Sequence, residues 1–298
     1  MPPSSRHVAL VGPTGSGKSA LALALARANP DFEIVSVDAM CVYRRMDVGT
    51  DKPSAADRHA VPHHLVDIVE PSDDYTVSRF QTDCAHAVRT IEQRGKRALL
   101  VGGTGLYVRA AVDGLSVPPQ FADVKAELET EPDTSALHAR LRALDPGAAA
   151  KMEPTNRRRV IRALEVCIGS GRPFSSFGPG LDTYRPTAFR LIGIWPSRHD
   201  TAQRVTQRFQ RMLDAGFVVE VEQLSRSNVS RTARQALGYR QLFDHVEGGA
   251  PLEECVDEAI TATVRFARRQ RAWFRRDPRI AWFPPEVDLA AVARRQNW

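Results

Sequence analysis

Cysteine is scarce in this chain and never paired in sequence: Cys41, Cys84, Cys167 and Cys255 stand far apart, with no C-x-x-C among them. That excludes a disulfide framework and a zinc knuckle, and leaves the four thiols as buried small hydrophobes. Aromatic residues make up only 7% of the 298 positions. No stretch approaches the about 20 uninterrupted apolar residues of a membrane span, and the opening Met-Pro-Pro-Ser-Ser-Arg lacks the apolar centre of a secretion leader, so a cytoplasmic protein without a membrane partner is expected. Paired histidines occur once, at His63-His64, but neighbours on a strand face opposite ways and no further ligands stand at metal spacing beside them. Acidic excess is missing from the second half. Residues 1–139 hold 14 Lys/Arg against 18 Asp/Glu, whereas residues 140–298 hold 27 against 17, so the net charge of +6 comes wholly from the later residues. Arginine dominates there, the side chain suited to bidentate phosphate contacts and to stacking on bases.

What is present is a 43% hydrophobic content, enough for a sizeable core, and a distinctive start. Val8–Val11 runs into Gly12-Pro13-Thr14-Gly15-Ser16-Gly17-Lys18-Ser19, followed by the alternating Ala/Leu stretch Ala20–Arg27. Strand, glycine loop, Lys-Ser and helix together form a P-loop. Its glycines allow backbone amides to converge, the helix start adds partial positive charge, Lys18 adds a full one, and the Ser19 hydroxyl can ligate Mg²⁺.

Short apolar runs then alternate with helical stretches: Glu33–Val37, Leu65–Ile68, a helix through Val77–Arg94, and Ala98–Val101. This βαβ rhythm predicts an α/β fold, a P-loop NTPase-like parallel sheet flanked by helices. Ligands of such sheets sit at the carboxyl ends of the strands. After the second strand comes Asp38-Ala-Met-Cys-Val-Tyr43, and after Val101 comes Gly102-Gly-Thr104-Gly-Leu-Tyr107, whose glycines suit close approach of backbone to a ligand. Asp38 could hold Mg²⁺, act as a general base, or cap a turn; Thr104 could offer its hydroxyl to the same crevice or cap the following helix.

Between residues 116 and 190 the pattern becomes helical (Val124–Glu131, Ser135–Leu144, Arg157–Ser170), broken at Pro118-Pro119 and Phe177-Gly-Pro-Gly180. An inserted small helical domain is expected there, with 1–115 and 191–298 forming the core. Phe189–Ile194 reads as a returning strand, followed by helices near 199–215, 217–225 and 253–276. The last carries Arg265, Arg268, Arg269, Arg271, Arg275 and Arg276 beside Phe266, Trp273 and Phe274, a combination suited to RNA, although the near-helical spacing of the aromatics by itself favours a core face.

The chain resembles the tRNA isopentenyltransferase (tRNA dimethylallyltransferase) family. The resemblance is carried by Gly12–Ser19, Ser36-Val-Asp38 with Tyr43, Met46-Asp-Val-Gly-Thr50-Asp-Lys-Pro53, Pro62–Ile68 and Val101–Tyr107, and continues through Arg159–Val166, Arg204 with Gln207-Arg208-Phe209, Gln235–Arg240 and Arg265–Gln270. It implies transfer of a dimethylallyl group from dimethylallyl diphosphate to N6 of adenosine 37, in tRNAs that read codons beginning with U. The position matching Asp38 would be the general base, with Thr104 at the reacting centre and Arg208 on the diphosphate. Gly12 to Ser19 would bind the diphosphate, and Ser19 would ligate Mg²⁺. The anticodon stem-loop would meet Asp38, Ala39, Met40, Cys41, Arg158, Arg159, Val160, Ile161, Arg162, Gln235, Gly238, Tyr239, Arg240, Arg268 and Arg269, with the adenosine leaving its stack to react. A monomer is expected. The family usually has serine directly after the aspartate and often glutamine three positions after it, where this chain has Ala39 and Cys41; Arg158 stands where some members have glutamine, and Gly15 where many have alanine. A nucleotide-prenylating relative and a small-molecule kinase would share the P-loop, but neither needs the basic second half.

Overall fold

The computed structural model describes residues 6–178 and 180–296, so the readings that involve Met1–Ser5 and Pro179 lie outside the described residues. Six strands, β1 (His7–Val11), β2 (Phe32–Val37), β3 (His63–His64), β4 (Arg97–Gly102), β5 (Phe189–Ile194) and β6 (Ala281–Phe283), form one sheet in the order β3-β2-β4-β1-β5-β6. Every neighbouring pair is parallel. The inner strands are apolar along their length because helices cover both faces. Ala9, Val11, Val35, Val37, Ala98, Leu100 and Leu191 enter the larger core, while Val8, Leu10, Ile34, Leu99, Val101, Ile192 and Ile194 enter a smaller one on the other face. That alternation is the period of two of a pleated strand.

The smaller core is closed by α1 (Lys18–Ala28), through Ala22, Leu25 and Ala26, and by Leu289 and Ala293 of the C-terminal helix. A short helix, α2 (Ala55–Ala60), precedes β3. The larger core takes α3 (Val77–Gln93), capped by the Thr76 side chain, and α4 (Gly105–Asp113). It also takes residues from five helices after β5, spanning Arg198–Asp214, Phe217–Ser225, Arg231–Arg234, Tyr239–Gly248 and Leu252–Phe274. Phe274 is buried and Trp273 packs on this core, so the core reading of these two aromatics is the one the structure adopts.

The chain divides into two compact units at Gly114/Leu115 and at Arg185/Pro186. The unit from Leu115 to Arg185 is helical: α5 (Ala122–Glu129), α6 (Thr134–Leu144), α7 (Pro146–Ala149) and α8 (Arg157–Ser170). Leu128, Leu137, Leu141, Ala149, Val160, Ile161 and Leu164 form its centre. Glu165, almost fully buried, accepts from the Phe121 amide and from Arg162 Nη1, each at 2.7 Å. Arg162 Nη2 also donates to the Pro118 carbonyl at 2.7 Å. Val160 and Ile161, expected along the tRNA path, therefore have their side chains in this core, and Arg162 is committed to holding it; the 3.6-residue period turns them inward while Arg158 and Arg159 stay exposed.

One expected strand is absent. Leu65 and Asp67 take positive φ (61° and 57°), which ends the pleat that β3 begins. The Asp67 and Ile68 amides instead donate to the carbonyls of Cys41 (3.2 Å) and Val42 (2.8 Å), so Leu65–Ile68 braces the segment that follows Asp38. In sequence order the remaining helices are α9 (Arg198–Asp214), α10 (Phe217–Ser225), α11 (Arg231–Arg234), α12 (Tyr239–Gly248), α13 (Leu252–Phe274) and α14 (Leu289–Gln296).

Candidate active site

The sheet register decides where the chemistry gathers. Val11 at the end of β1 lies opposite Gly102 of β4 and Gly193 of β5, and Val37 at the end of β2 lies opposite the same Gly102. Adjacent strands are about 4.8 Å apart, so the loops carrying Asp38, Thr104 and the P-loop leave the sheet side by side.

In the P-loop, Gly15 (φ +78°) and Gly17 (φ +82°) occupy the left-handed region, and Lys18 and Ser19 open α1. Among the described residues the Ser16 hydroxyl is buried without a hydrogen-bond partner. The loop is covered by α9, whose Arg204 Nη1 approaches the Ser16 carbonyl at 3.5 Å. One turn on, Arg208 is about three-quarters buried; its Nε has no hydrogen-bond partner and stands 3.5 Å from Asp51 Oδ2. Burial holds the Lys18 ammonium below the ordinary lysine value; the nearby Asp38 opposes that shift and Arg208 adds to it. Two cations thus converge on a loop of backbone donors, a cradle for a polyanion.

Asp38 uses one oxygen locally: Oδ1 accepts from the amides of Met40 (2.8 Å) and Cys41 (3.3 Å). The side chain is thereby oriented by an Asx-type turn, and Oδ2 is the oxygen left to receive a proton. Thr104 precedes α4 at the N-cap position, yet its hydroxyl makes no capping bond. The capping alternative for Thr104 is therefore not the one used.

The glycines at and after the end of β4 are required by the protein's own packing. A Cβ on Gly102 would collide with Val37, one on Gly103 would lie 2.6 Å from Gln270 Nε2, and one on Gly105 would overlap the Trp273 ring. They admit the protein's own β2 and α13. Gln270 accepts from the Thr14 amide (2.8 Å) and donates to the Gly103 carbonyl (2.8 Å). The Thr14 amide, counted among the diphosphate donors, is thus already engaged.

Glu220 of α10 was not anticipated either. Its carboxylate accepts from the amides of Asp47 (2.7 Å), Val48 (2.8 Å) and Gly49 (3.1 Å) and from the Tyr239 hydroxyl (2.6 Å). Lys52, whose side chain is 3% exposed, bonds the Tyr43 carbonyl and pairs with Asp47 (2.7 Å) and Asp67 (2.5 Å). These two charges fix the loop that presents Asp51 to Arg208.

Other expected tRNA contacts need correction. Tyr239 is fully buried, packed edge-on against Phe217, and Gly238 is buried against the same ring, so neither presents a side chain at the surface. Cys41 is buried with its thiol toward the Thr50 carbonyl (3.9 Å), and burial raises its pKa. Ala39 and Met40 are half-buried, while Gln235, Arg240, Arg268 and Arg269 are exposed, Arg240 paired with Glu258 and Arg269 lying over Phe266. His63 and His64 bond the Val61 carbonyl and Glu33, each at 2.7 Å, and among the described residues no group of three His, Cys, Asp or Glu could hold a metal.

The family model described as IPP transferase matches residues 41–277. The chain belongs to the IPP transferase family. A tRNA dimethylallyltransferase of Bifidobacterium longum is 44% identical over 96% of this chain and 90% of its own length, and one of Kineococcus radiotolerans is 45% identical over 95% and 92%. Among solved structures, the full-length tRNA isopentenylpyrophosphate transferase of Bacillus halodurans superposes with a TM-score of 0.70 at 35% identity, covering 98% of this chain and 94% of that one. A eukaryotic dimethylallyltransferase acting on tRNA gives 0.76 at 26% identity, covering 96% of this chain and 75% of that one. As an IPP transferase the chain is a transferase built on a parallel P-loop sheet, and among the described residues no helix is long and apolar enough to cross a membrane.

Proposed function

We propose that this IPP transferase moves the dimethylallyl group of dimethylallyl diphosphate to N6 of adenosine 37 in tRNAs that read codons beginning with U. The observation that carries the reading is that the loops bearing the free Asp38 oxygen, the uncapped Thr104 hydroxyl and the phosphate-binding glycines all leave the ends of neighbouring strands. In this reaction N6 attacks C1 of the allylic group, the C1–O bond breaks, and the diphosphate departs with the bonding electrons. Asp38 Oδ2 receives the N6 proton while its partner oxygen stays fixed by two amides. Arg208, Lys18 and the first-turn amides of α1 meet the growing charge on the leaving oxygens. A P-loop thus serves an isoprenoid diphosphate, and no nucleotide is hydrolysed.

The residues present fit Mg²⁺. The metal prefers oxygen ligands, keeps several waters, and is commonly held by substrate phosphates with few protein atoms, which matches the single Ser19 hydroxyl in the first turn of α1, while the unpartnered Arg208 Nε suits the diphosphate oxygens. When bound, Mg²⁺ supplies charge neutralisation on the diphosphate. The anticodon stem-loop is the proposed partner of exposed arginines in each unit: Arg158 and Arg159 in the helical one, Arg268 and Arg269 in the other. A cytoplasmic monomer suits this role.

The test is incubation with Mg²⁺, radiolabelled dimethylallyl diphosphate and unmodified tRNA, followed by nuclease digestion and mass spectrometry. Label on N6 of adenosine 37 supports the proposal. Transfer to AMP alone, or ATP consumption without transfer, refutes it in favour of a nucleotide prenyltransferase or a kinase.

A further inference from the structure

Gln270 is 5% exposed, near the C-terminal end of α13, where the preceding Arg268 and Arg269 face outward. Both ends of its amide are used. Oε1 accepts from the Thr14 amide of the P-loop, 256 residues away, and Nε2 donates to the Gly103 carbonyl, 167 residues away, each at 2.8 Å. An N–H requires an acceptor and a carbonyl requires a donor, so the side chain must accept and donate at once, as a neutral amide or a protonated carboxyl does and a carboxylate does not. Gly103 lacks a Cβ at the point where one would lie 2.6 Å from Nε2, so turn and glutamine fit as a pair. The next residue, Arg271, donates to the Pro196 carbonyl at 2.5 Å just beyond β5, which anchors the same helical turn to a third strand end.

We propose that Gln270 is a positioning residue for group transfer: it clasps the diphosphate loop to the Gly103-Thr104 turn and so sets the spacing between the leaving group and the reacting centre. The proposal rests on the reading above for what those two loops hold. Gln270 does not touch substrate. It acts through the Thr14 amide, which it withdraws from phosphate binding, and through the Gly103 carbonyl, which fixes the backbone that leads into Thr104.

Gln270→Glu separates this role from general support. As a carboxylate, Glu still accepts from Thr14 but repels the Gly103 carbonyl; as an acid, it donates and accepts as glutamine does. Burial raises the pKa of such a carboxyl from its ordinary value of about 4.3, toward the workable range. Single-turnover transfer should be about 10- to 100-fold slower than wild type at pH 8, the scale of an unmet buried hydrogen bond, and the variant-to-wild-type ratio should rise at least about fivefold by pH 5.5. Gln270→Met, unable to pair at any pH, should stay slow throughout. Melting temperatures at both pH values accompany the rates. A ratio flat with pH, a rise that merely follows the melting temperature, or wild-type rates in Gln270→Met would overturn the clasp. Affinity for magnesium pyrophosphate is measured in parallel. If the wild-type protein transfers nothing to tRNA, the functional reading fails, while pH-dependent recovery of pyrophosphate affinity in Gln270→Glu still supports the clasp and a flat affinity rejects it.

Discussion

Replacing Glu220 by alanine should unfasten the loop that carries Asp51, without touching any residue assigned to the chemistry. Four donors lose their acceptor: the amides of Asp47, Val48 and Gly49, and the Tyr239 hydroxyl. The three amides lie in a partly exposed loop where water can replace the carboxylate, so each costs about 0.5–1 kcal/mol, below the about 1.5–3 kcal/mol of a buried bond to a charged group. Tyr239 has no exposed surface, and its stranded hydroxyl costs about 1–3 kcal/mol. The expected destabilisation is about 3–5 kcal/mol. Urea unfolding followed by tryptophan fluorescence measures it, and a double-mutant cycle with Tyr239→Phe isolates the hydroxyl's share, expected at about 1 kcal/mol or more. Transfer should also weaken at urea concentrations where the fold persists, because Asp51 no longer faces Arg208. A loss below about 1 kcal/mol, or a cycle with no coupling, would refute the argument that this carboxylate pins the loop.

Asp38→Asn should slow single-turnover transfer by about 10²–10⁴-fold while changing tRNA affinity little in filter binding, since one oxygen and its turn survive. Because the folded state holds Lys18 below the ordinary lysine value of 10.5, the folded chain binds fewer protons than the unfolded one between the two values. Stability of the unliganded wild type relative to Lys18→Met should therefore rise with pH across that window, and pyrophosphate affinity should fall as Lys18 loses its charge there; denaturation and calorimetry at stepped pH check both signs. Replacing Arg268 and Arg269 by alanine should lower tRNA affinity and reduce the log-log salt slope by about 0.7–0.9 per lost phosphate contact, and an unchanged slope would move the RNA path elsewhere.

Local sequence carried the strand-loop-helix start, the returning strand at Phe189–Ile194 and most long helices, because periodicity and glycine placement act over a few residues. It failed where the deciding partner lies far along the chain. Leu65–Ile68 has a strand's composition, but its conformation answers to the Cys41 and Val42 carbonyls. Glu220 and Gln270 look like ordinary polar positions of amphipathic helices, and their backbone partners stand 171–173 and 167–256 residues away. Val160, Ile161 and Tyr239 sit in motifs that resemblance ties to tRNA, yet their burial follows from which helical face each occupies. The placement of Asp38, Thr104 and the P-loop at neighbouring strand ends was legible because each directly follows an apolar run in a βαβ rhythm.

The bond between Thr14 and Gln270 also imposes a schedule on biosynthesis. At about 5–20 residues per second, roughly 13–50 seconds separate the emergence of the two partners from the ribosome. During that interval the phosphate loop exists without the helix that fastens it to the Gly103 turn, so a nascent chain truncated before α13 carries the motif but not the assembled crevice. On the proposed clasp, the loop spacing needed for transfer is complete only once α13 has been made.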